Sequence, residues 1–152
     1  MNMTKILTPL LGLFLVGCSF QTVKHDPGTA VLAANVFLKA FYIEHNYEHA
    51  LMLSDAELRR SANADDLGQM AQRAVQICGN LKELKAESYL MTPGKTMELF
   101  YIGRYQRGTL YHRVVLVGDV SNGYRVSGIW FQDSPYPESK LRRPFQPSIV
   151  VN

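Results

Sequence analysis

The sequence is poor in cysteine, has no strong excess of charge of either sign and contains no hydrophobic run long enough to cross a membrane. It has 152 residues, of which two are cysteines, and its 16 basic and 13 acidic side chains leave a net charge of +3. No block of five like charges occurs. A charge so small and so dispersed gives no support to nucleic-acid binding.

Sequence motifs of several common enzymes are also missing. Gly103 and Gly108 stand apart and do not lead into a lysine followed by serine or threonine, so there is no phosphate-binding loop. There is no Gly-x-Ser-x-Gly nucleophile elbow, no Cys-x-x-Cys pair and no internal repeat. We therefore predict no enzymatic activity and no cofactor.

The N-terminus carries the clearest positive signal. Lys5 is the only cation before an uncharged run, Ile6–Val16, which leads to Gly17 and Cys18. A charged start, an apolar run and a small residue before a cleavage point are typical of a signal peptide. The run would form about 16 Å of helix, well short of the ~30 Å hydrocarbon core of a bilayer. The sequence predicts a signal peptide over residues 1–17.

Leu15, Val16, Gly17 and Cys18 resemble the lipobox of bacterial lipoproteins at all four positions. The resemblance implies a diacylglycerol on the sulfur of Cys18 and an acylated amino terminus, and two or more chains hold a protein stably on a membrane. An ordinary secretory signal with a chance cysteine is the alternative. Because Ser19 follows, and not an acidic retention residue, the resemblance implies the outer membrane of a Gram-negative cell, facing the periplasm, with the inner membrane as the alternative.

Lipidation of Cys18 would leave Cys78 as the only thiol, so that no disulfide could form within the mature chain. Free cysteine is among the most buried residue types, which favours a buried Cys78 at a helix end. The alternative is a disulfide between two copies, which would make a homo-oligomer.

The mature chain has the size of one domain, and we divide it into a lipidated tether (18–25), a folded domain (26–132) and a tail (133–152). The tail holds four of the seven prolines. Because proline supplies no amide donor, the tail is expected to be extended and irregular. Its last apolar residues, Ile149–Val151, could still add a short edge strand or dock in a groove.

The first half of the domain is predicted to be helical. Asp26 and Pro27 are a favoured N-cap and a favoured first helical residue, and apolar residues then recur at helical spacing over Ala30–Ile43. A second short helix follows, and Ser54–Glu57 fits a capping box for a third. The last helix ends at Gly79 and has apolar positions at Leu67, Met70, Ala71, Ala74 and Val75.

The second half changes to near-alternating polarity and is rich in β-branched and aromatic residues. Short turn signals at 92–95, 107–108 and 121–123 make the segments antiparallel neighbours. We predict an α+β domain in which the helices pack on one face of a curved four-stranded antiparallel sheet. The predicted strands are Leu84–Met91, Thr96–Gln106, Thr109–Val120 and Tyr124–Gln132.

This order of elements is similar to that of the nuclear transport factor 2-like fold, also called the cystatin-like cone. The resemblance implies a pocket between the helices and the concave face of the sheet, although a fold alone assigns no chemistry. It covers about residues 26–132 and is carried by Phe37, Phe41, Tyr47, Ala50, Leu51 and the segment Tyr124–Phe131.

Polar and aromatic strand residues are the candidates for a pocket or partner site. Strand alternation places His112 on one face, and Arg113 and Asp119 on the other, so one strand cannot supply an Asp–His pair unless a bulge shifts the alternation. A lone histidine on an aliphatic strand face is more often packed or at the surface than a general base. The candidates are Tyr101, Tyr105, His112, Tyr124 and Trp130, with Arg113, Asp119 and Arg125 as further polar groups.

His45 and His49 have the i, i+4 spacing of two zinc ligands on one helix face. Asn46 is expected to break the helix between them, and no glutamate follows His45 directly. We therefore predict no metal site.

Together these features predict a membrane-anchored, non-catalytic binding or assembly module that contacts a protein partner through its sheet or its tail. A binder of a small apolar ligand in the cone pocket is the alternative, and an enzyme of the same fold is a third possibility.

Overall fold

The computed structural model of the protein describes residues 23–94 and 96–152, and the predicted signal peptide and Cys18 lie outside the described residues. The described chain has an α+β fold in which helices pack on one face of an antiparallel sheet. None of its helices is long and apolar enough to span a membrane. The helices are α1 (Pro27–Leu38), α2 (Tyr47–Met52), α3 (Ala56–Ser61) and α4 (Ala64–Cys78), and the strands are β1 (Leu81–Thr92), β2 (Thr96–Tyr105), β3 (Thr109–Asp119), β4 (Gly123–Gln132) and β5 (Arg143–Val150).

Helix α1 begins where the sequence predicts. The Asp26 carboxylate accepts the Thr29 N–H at 2.6 Å, and its hydrogen bonds to Thr29 lower the pKa of Asp26. The helix continues into one π-helical turn, Lys39–Ile43. Phe37 and Phe41 stack at 5.8 Å between ring centroids and are fully buried. The predicted apolar face of this helix is therefore part of the core.

The predicted capping box at Ser54–Glu57 is wrong. Asp55 caps α3 by accepting the Leu58 N–H at 2.8 Å. The Ser54 hydroxyl instead donates to the Ala50 carbonyl at 2.9 Å, because Ser54 is buried in an isolated bridge to β4. Serine and aspartate are both favoured N-caps, and the tertiary bridge decided between them.

Helix α4 is amphipathic, as predicted. It begins with a capping box between Asn63 and Asp66. Leu67, Ala71 and Ala74 are buried, Met70 is half-buried and Val75 is exposed. Gly79 ends the helix with φ +79°, and Cys78 beside it is buried, as the sequence indicates.

The sheet has the strand order β4-β3-β2-β1-β5, and all neighbouring strands are antiparallel. The four predicted strands are confirmed, and β1 begins at Leu81 rather than at Leu84. Hydrophobic residues of the inner face, which is the face that carries the helices, fill the space between the two layers. They include Leu84, Met97, Leu99, Tyr101, Leu110, Val114, Leu116, Val126 and Ile129.

The prediction of a four-stranded sheet followed by an irregular tail is wrong. The tail forms β5, which pairs with β1 from Lys85 opposite Val150 to Tyr89 opposite Arg143. Its prolines are compatible with this position because only one side of an edge strand needs to donate to the sheet. Of the two alternatives for the C-terminus, the edge strand is the correct one, and it is longer than Ile149–Val151.

Arg142 fastens this strand to the outer face of the sheet, which is the face opposite the helices. Its Nε donates to the Ser88 hydroxyl at 2.6 Å, and its guanidinium lies 4.0 Å from the centroid of the Phe100 ring. It also pairs with Glu87 at 3.2 Å. The start of β5 is thus held by a charged side chain that packs on an aromatic ring.

Candidate functional site

An open groove of about 840 Å³ lies between α4 and the C-terminal half of β4. This volume is within the usual range of binding sites. Its apolar part comes from both elements and from the start of β3. The lining residues are Gln69, Met70, Gln72, Arg73, Gln76, Ile77, Leu110, Trp130, Phe131, Gln132 and Asp133.

Strand β4 is an edge strand, and its two halves differ. In the first half, the Val126 N–H donates to the Leu53 carbonyl at 3.2 Å, and the Asp55 N–H donates to the Val126 carbonyl at 2.8 Å. Beyond Val126, the side of β4 that points away from β3 has no backbone hydrogen-bond partner among the residues that the structure describes. We call the segment Gly128–Gln132 the open edge.

The open edge presents the backbone groups of Phe131 beside the groove. Val126 lies opposite Leu116 and directs its N–H and C=O away from β3. In an antiparallel sheet, successive residues of a strand direct their backbone N–H and C=O groups to opposite sides. Leu116 and every second residue before it, Val114 and His112, therefore bond to β2 and not to β4. Ile129 and Phe131 lie opposite two of these residues. Both therefore direct their N–H and C=O groups away from β3, but Ile129 is buried and only Phe131 does so beside the groove.

Trp130 is the large aromatic side chain at the open edge and is 47% exposed. Its indole lies across Gly128, where an added Cβ would overlap the ring. The Arg113 guanidinium lies 5.2 Å from the indole centroid, and Arg113 Nε donates to Glu98 Oε2 at 2.7 Å. A tryptophan that is already fixed in this way loses little conformational freedom on binding.

The polar part of the groove is dominated by amide side chains. Gln69, Gln72 and Gln76 are exposed on α4, and Gln132 ends β4. A glutamine amide can both donate and accept hydrogen bonds. The rim therefore suits a ligand with alternating donors and acceptors, such as a peptide backbone.

A buried polar cluster lies on the inner face near the open edge. His112 is fully buried, with Nδ1 3.1 Å from Tyr42 Oη and Nε2 3.2 Å from Tyr105 Oη. Burial lowers the pKa of His112 to about 3. Burial also raises the pKa of both tyrosines. Because a neutral imidazole has one N–H and one acceptor nitrogen, one phenol donates to the ring and the other accepts from it.

This geometry makes His112 a poor general base. Both ring nitrogens already have hydrogen-bond partners. The pKa of His112 also lies far below neutral pH, whereas a general base works best when its pKa is close to the working pH. The Phe131 ring, at 5.9 Å, lies beside the imidazole. His112 is thus packed and fixes the core beneath the open edge.

The residues predicted for a pocket or partner site do not form one site. Trp130 lines the groove, and Tyr105 and His112 contact each other inside the fold. The Tyr101 hydroxyl donates to Asn35 at 2.9 Å on the inner face. Tyr124 lies at the other end of β4, where its Oη accepts the backbone N–H of Asp26 at 2.9 Å.

The further polar candidates also lie apart. Asp119 accepts the backbone N–H groups of Ser121 and Asn122 in the β3–β4 turn. Arg125 donates to the Met52 carbonyl at 3.0 Å. Only Arg113, beneath Trp130, contributes to the open edge. The alternation predicted for β3 is confirmed, since His112 is buried on the inner face and Arg113 lies on the outer one.

The predicted helix break between His45 and His49 is confirmed. His45 has φ +52° and precedes the N-cap Asn46, whereas His49 lies within α2. The two imidazoles therefore do not share a helix face. Within residues 23–94 and 96–152, no three His, Cys, Asp or Glu side chains lie close enough together to hold a metal ion.

Several residues of the groove and cluster escaped the sequence prediction. The α4 residues at 69, 72, 73 and 76 follow the spacing i, i+3, i+4, i+7, so a polar stripe was readable beside the apolar one. Tyr42 had no such signal because its partner His112 is 70 residues away.

Comparison with protein-family models, with curated proteins and with solved structures gave no match to this chain. The case for a function therefore depends on the geometry of the groove and the open edge.

Proposed function

We propose that this protein is a non-catalytic binding module, held by a lipid on Cys18 at the outer membrane and facing the periplasm. It binds an extended, apolar segment of a protein partner at the open edge. The segment adds to the sheet beside β4 and places its side chains in the groove against α4.

The observation that carries this proposal is the coincidence of an unpaired strand edge with an apolar groove. Strand addition takes its affinity from backbone hydrogen bonds and its specificity from pockets for alternate side chains. Phe131 supplies backbone groups, and Met70 and Ile77 supply accessible apolar contacts. Proteins normally cover or charge such an edge. This one carries an ordered, half-exposed tryptophan instead.

A small ligand remains a second candidate because of one further cavity. It has a volume of about 270 Å³ and is lined in part by Tyr42, His45, Asn80 and Tyr105. This volume is at the lower limit for a ligand pocket. Apolar side chains fill the rest of the space between the layers. A small aromatic alcohol that raises the melting temperature of the wild type, but not of Tyr105→Phe, would support this candidate.

Site-directed photo-crosslinking in cells tests the partner site. A photoreactive phenylalanine analogue replaces Gln72 or Gln76 in the full lipidated chain, and the matched control carries it at Arg60, an exposed residue of α3 outside the groove. We expect adducts from the two groove positions only. Mass spectrometry should locate each adduct in an extended apolar segment of the partner. Adducts from Arg60 alone, or none from the groove, would contradict the proposal.

Replacement of Trp130 by alanine measures the contribution of the indole. A central aromatic contact typically accounts for about 2 kcal/mol, so partner affinity should fall by about 30-fold. Leu141→Ala is the matched control, because Leu141 is 71% exposed and lies outside the groove. Equal affinities of the two variants would remove Trp130 from the site.

A further inference from the structure

Residues 23–26 lie at the end of the sheet that carries the β3–β4 turn. The Lys24 carbonyl accepts the Val120 N–H at 3.1 Å, and His25 Nδ1 lies 3.3 Å from Tyr124 Oη. Because all strands are antiparallel, the β1–β2 turn lies at this same end. We call this region, formed by residues 23–26, 91–94 and 120–123, the entry end. The groove lies at the opposite end, where β4 finishes.

Chain length limits how far the entry end can lie from a lipid on Cys18. Val23 lies five positions after Cys18, and a fully extended chain of five residue steps spans at most about 18 Å. Strand β4 rises about 30 Å from Gly123 to Gln132. An orientation with the groove against the bilayer would place Val23 about 30 Å away, beyond the reach of the tether.

The surface of the entry end fits a lipid headgroup region. Val23 is 39% exposed, Val120 is 48% exposed and Met91 is 36% exposed. Lys24 is exposed next to Val23, and the Asp26 carboxylate of the same region accepts hydrogen bonds from Thr29. The Asp119 carboxylate of the nearby turn is engaged by backbone amides.

We propose that the entry end contacts the lipid headgroups and that the groove faces away from the bilayer. This inference rests on the lipid anchor of the proposed function. It specifies the partner further, because the bound segment must come from the aqueous compartment about 30 Å above the membrane rather than from within the bilayer.

Fluorescence quenching on vesicles tests this orientation. Val120→Cys and Lys82→Cys are each made in the full lipidated chain with Cys78→Ala, labelled with a fluorophore and inserted into phosphatidylethanolamine–phosphatidylglycerol vesicles. Lys82 is an exposed residue near the start of β1, at the end opposite Val120. Nitroxide-labelled headgroups should remove most of the emission at residue 120 and little at residue 82. Met91→Cys serves as a second position at the entry end should Val120→Cys fail to fold.

Two failures are distinguishable. Equal quenching at both ends, or stronger quenching at residue 82, would overturn the orientation even if mass spectrometry finds the lipid on Cys18. Absence of the lipid would overturn the proposed anchor, and the orientation with it. A Cys18→Ser chain should not bind the vesicles. If it remains bound to them, this result would also count against the anchor.

Discussion

The two edges of the sheet are finished in different ways. On one side, β5 covers β1 and becomes the edge itself, with Pro144 and Pro147 in the outermost strand. On the other side, β4 is bridged at Val126 and then left open. Proline lacks a donor and blunts an edge, whereas the open edge contains neither proline nor charge.

This difference shows which edge is protected against pairing. An uncovered apolar edge strand is a template for other chains, and a protein that blunts one edge gains little by leaving the other exposed. The contrast supports a partner at the open edge. It also changes the role of the tail, because deleting residues 133–152 would remove β5 and uncover β1 as well.

Hydrogen exchange should show the contrast most strongly. In the free protein, the amide of Phe131 should exchange almost as fast as in an unstructured peptide. The amides of Gly128 and Trp130 point to β3 and need an opening that costs up to the global stability, about 5–15 kcal/mol. At least about a thousand-fold difference is expected, measured by NMR. Uniform protection along Gly128–Gln132 would show that the edge is covered.

Acid should destabilise the fold through His112, which lies beneath the open edge. It is the only histidine buried in the part of the chain that the structure describes. Its pKa is about 3 in the folded protein against an ordinary value of 6.5. Between these values the unfolded chain binds more protons, so stability falls as the pH is lowered through this range. We expect a loss of about 1.4 kcal/mol per pH unit between pH 6 and 4 from this group.

The measurement is urea unfolding at several pH values, with His112→Gln as the control. Glutamine keeps a donor and an acceptor but does not titrate, so the difference in slope between the two proteins isolates the histidine from the carboxylates. Parallel slopes would mean that the imidazole is not buried as described.

Arg142→Ala should weaken the covered edge by about 2 kcal/mol, because it removes charge-assisted hydrogen bonds and the stacking on Phe100 and leaves Ser88 buried. Arg143→Ala is the matched control, since Arg143 is exposed and should change stability by less than about 0.5 kcal/mol. Chemical denaturation measures both. Equal losses would mean that the Arg142 contacts do not hold β5.

Glu98→Gln should have the smallest effect, about 0.5–1 kcal/mol, because the Arg113 partner is 36% exposed and solvent screens the pair. The indole of Trp130 should nevertheless change its fluorescence, since Arg113 loses the carboxylate that positions it. Unchanged emission would indicate that the cation is held over the ring without Glu98.

Much of the fold could be predicted from local patterns. The first four strands followed from alternation and turn residues, and the start of α1 followed from Asp26 and Pro27, because these signals act between near neighbours in the chain. The choice between Ser54 and Asp55 as the N-cap of α3 could not be predicted in this way, because both residue types are chemically suitable. The pairing of β5 with β1 could not be predicted either, since it joins Lys85 to Val150 and depends on no local pattern.

The sequence by itself determined the α+β order and the placement of His112 and Arg113 on opposite faces of the sheet, because each depends on residues within a few positions of one another. Only the tertiary structure decided that the tail closes one edge of the sheet, that Tyr42 and Tyr105 enclose His112, and that the other edge stays open beside a groove. These features join segments that are distant in the chain, and their partners are selected by burial and backbone pairing rather than by local preference.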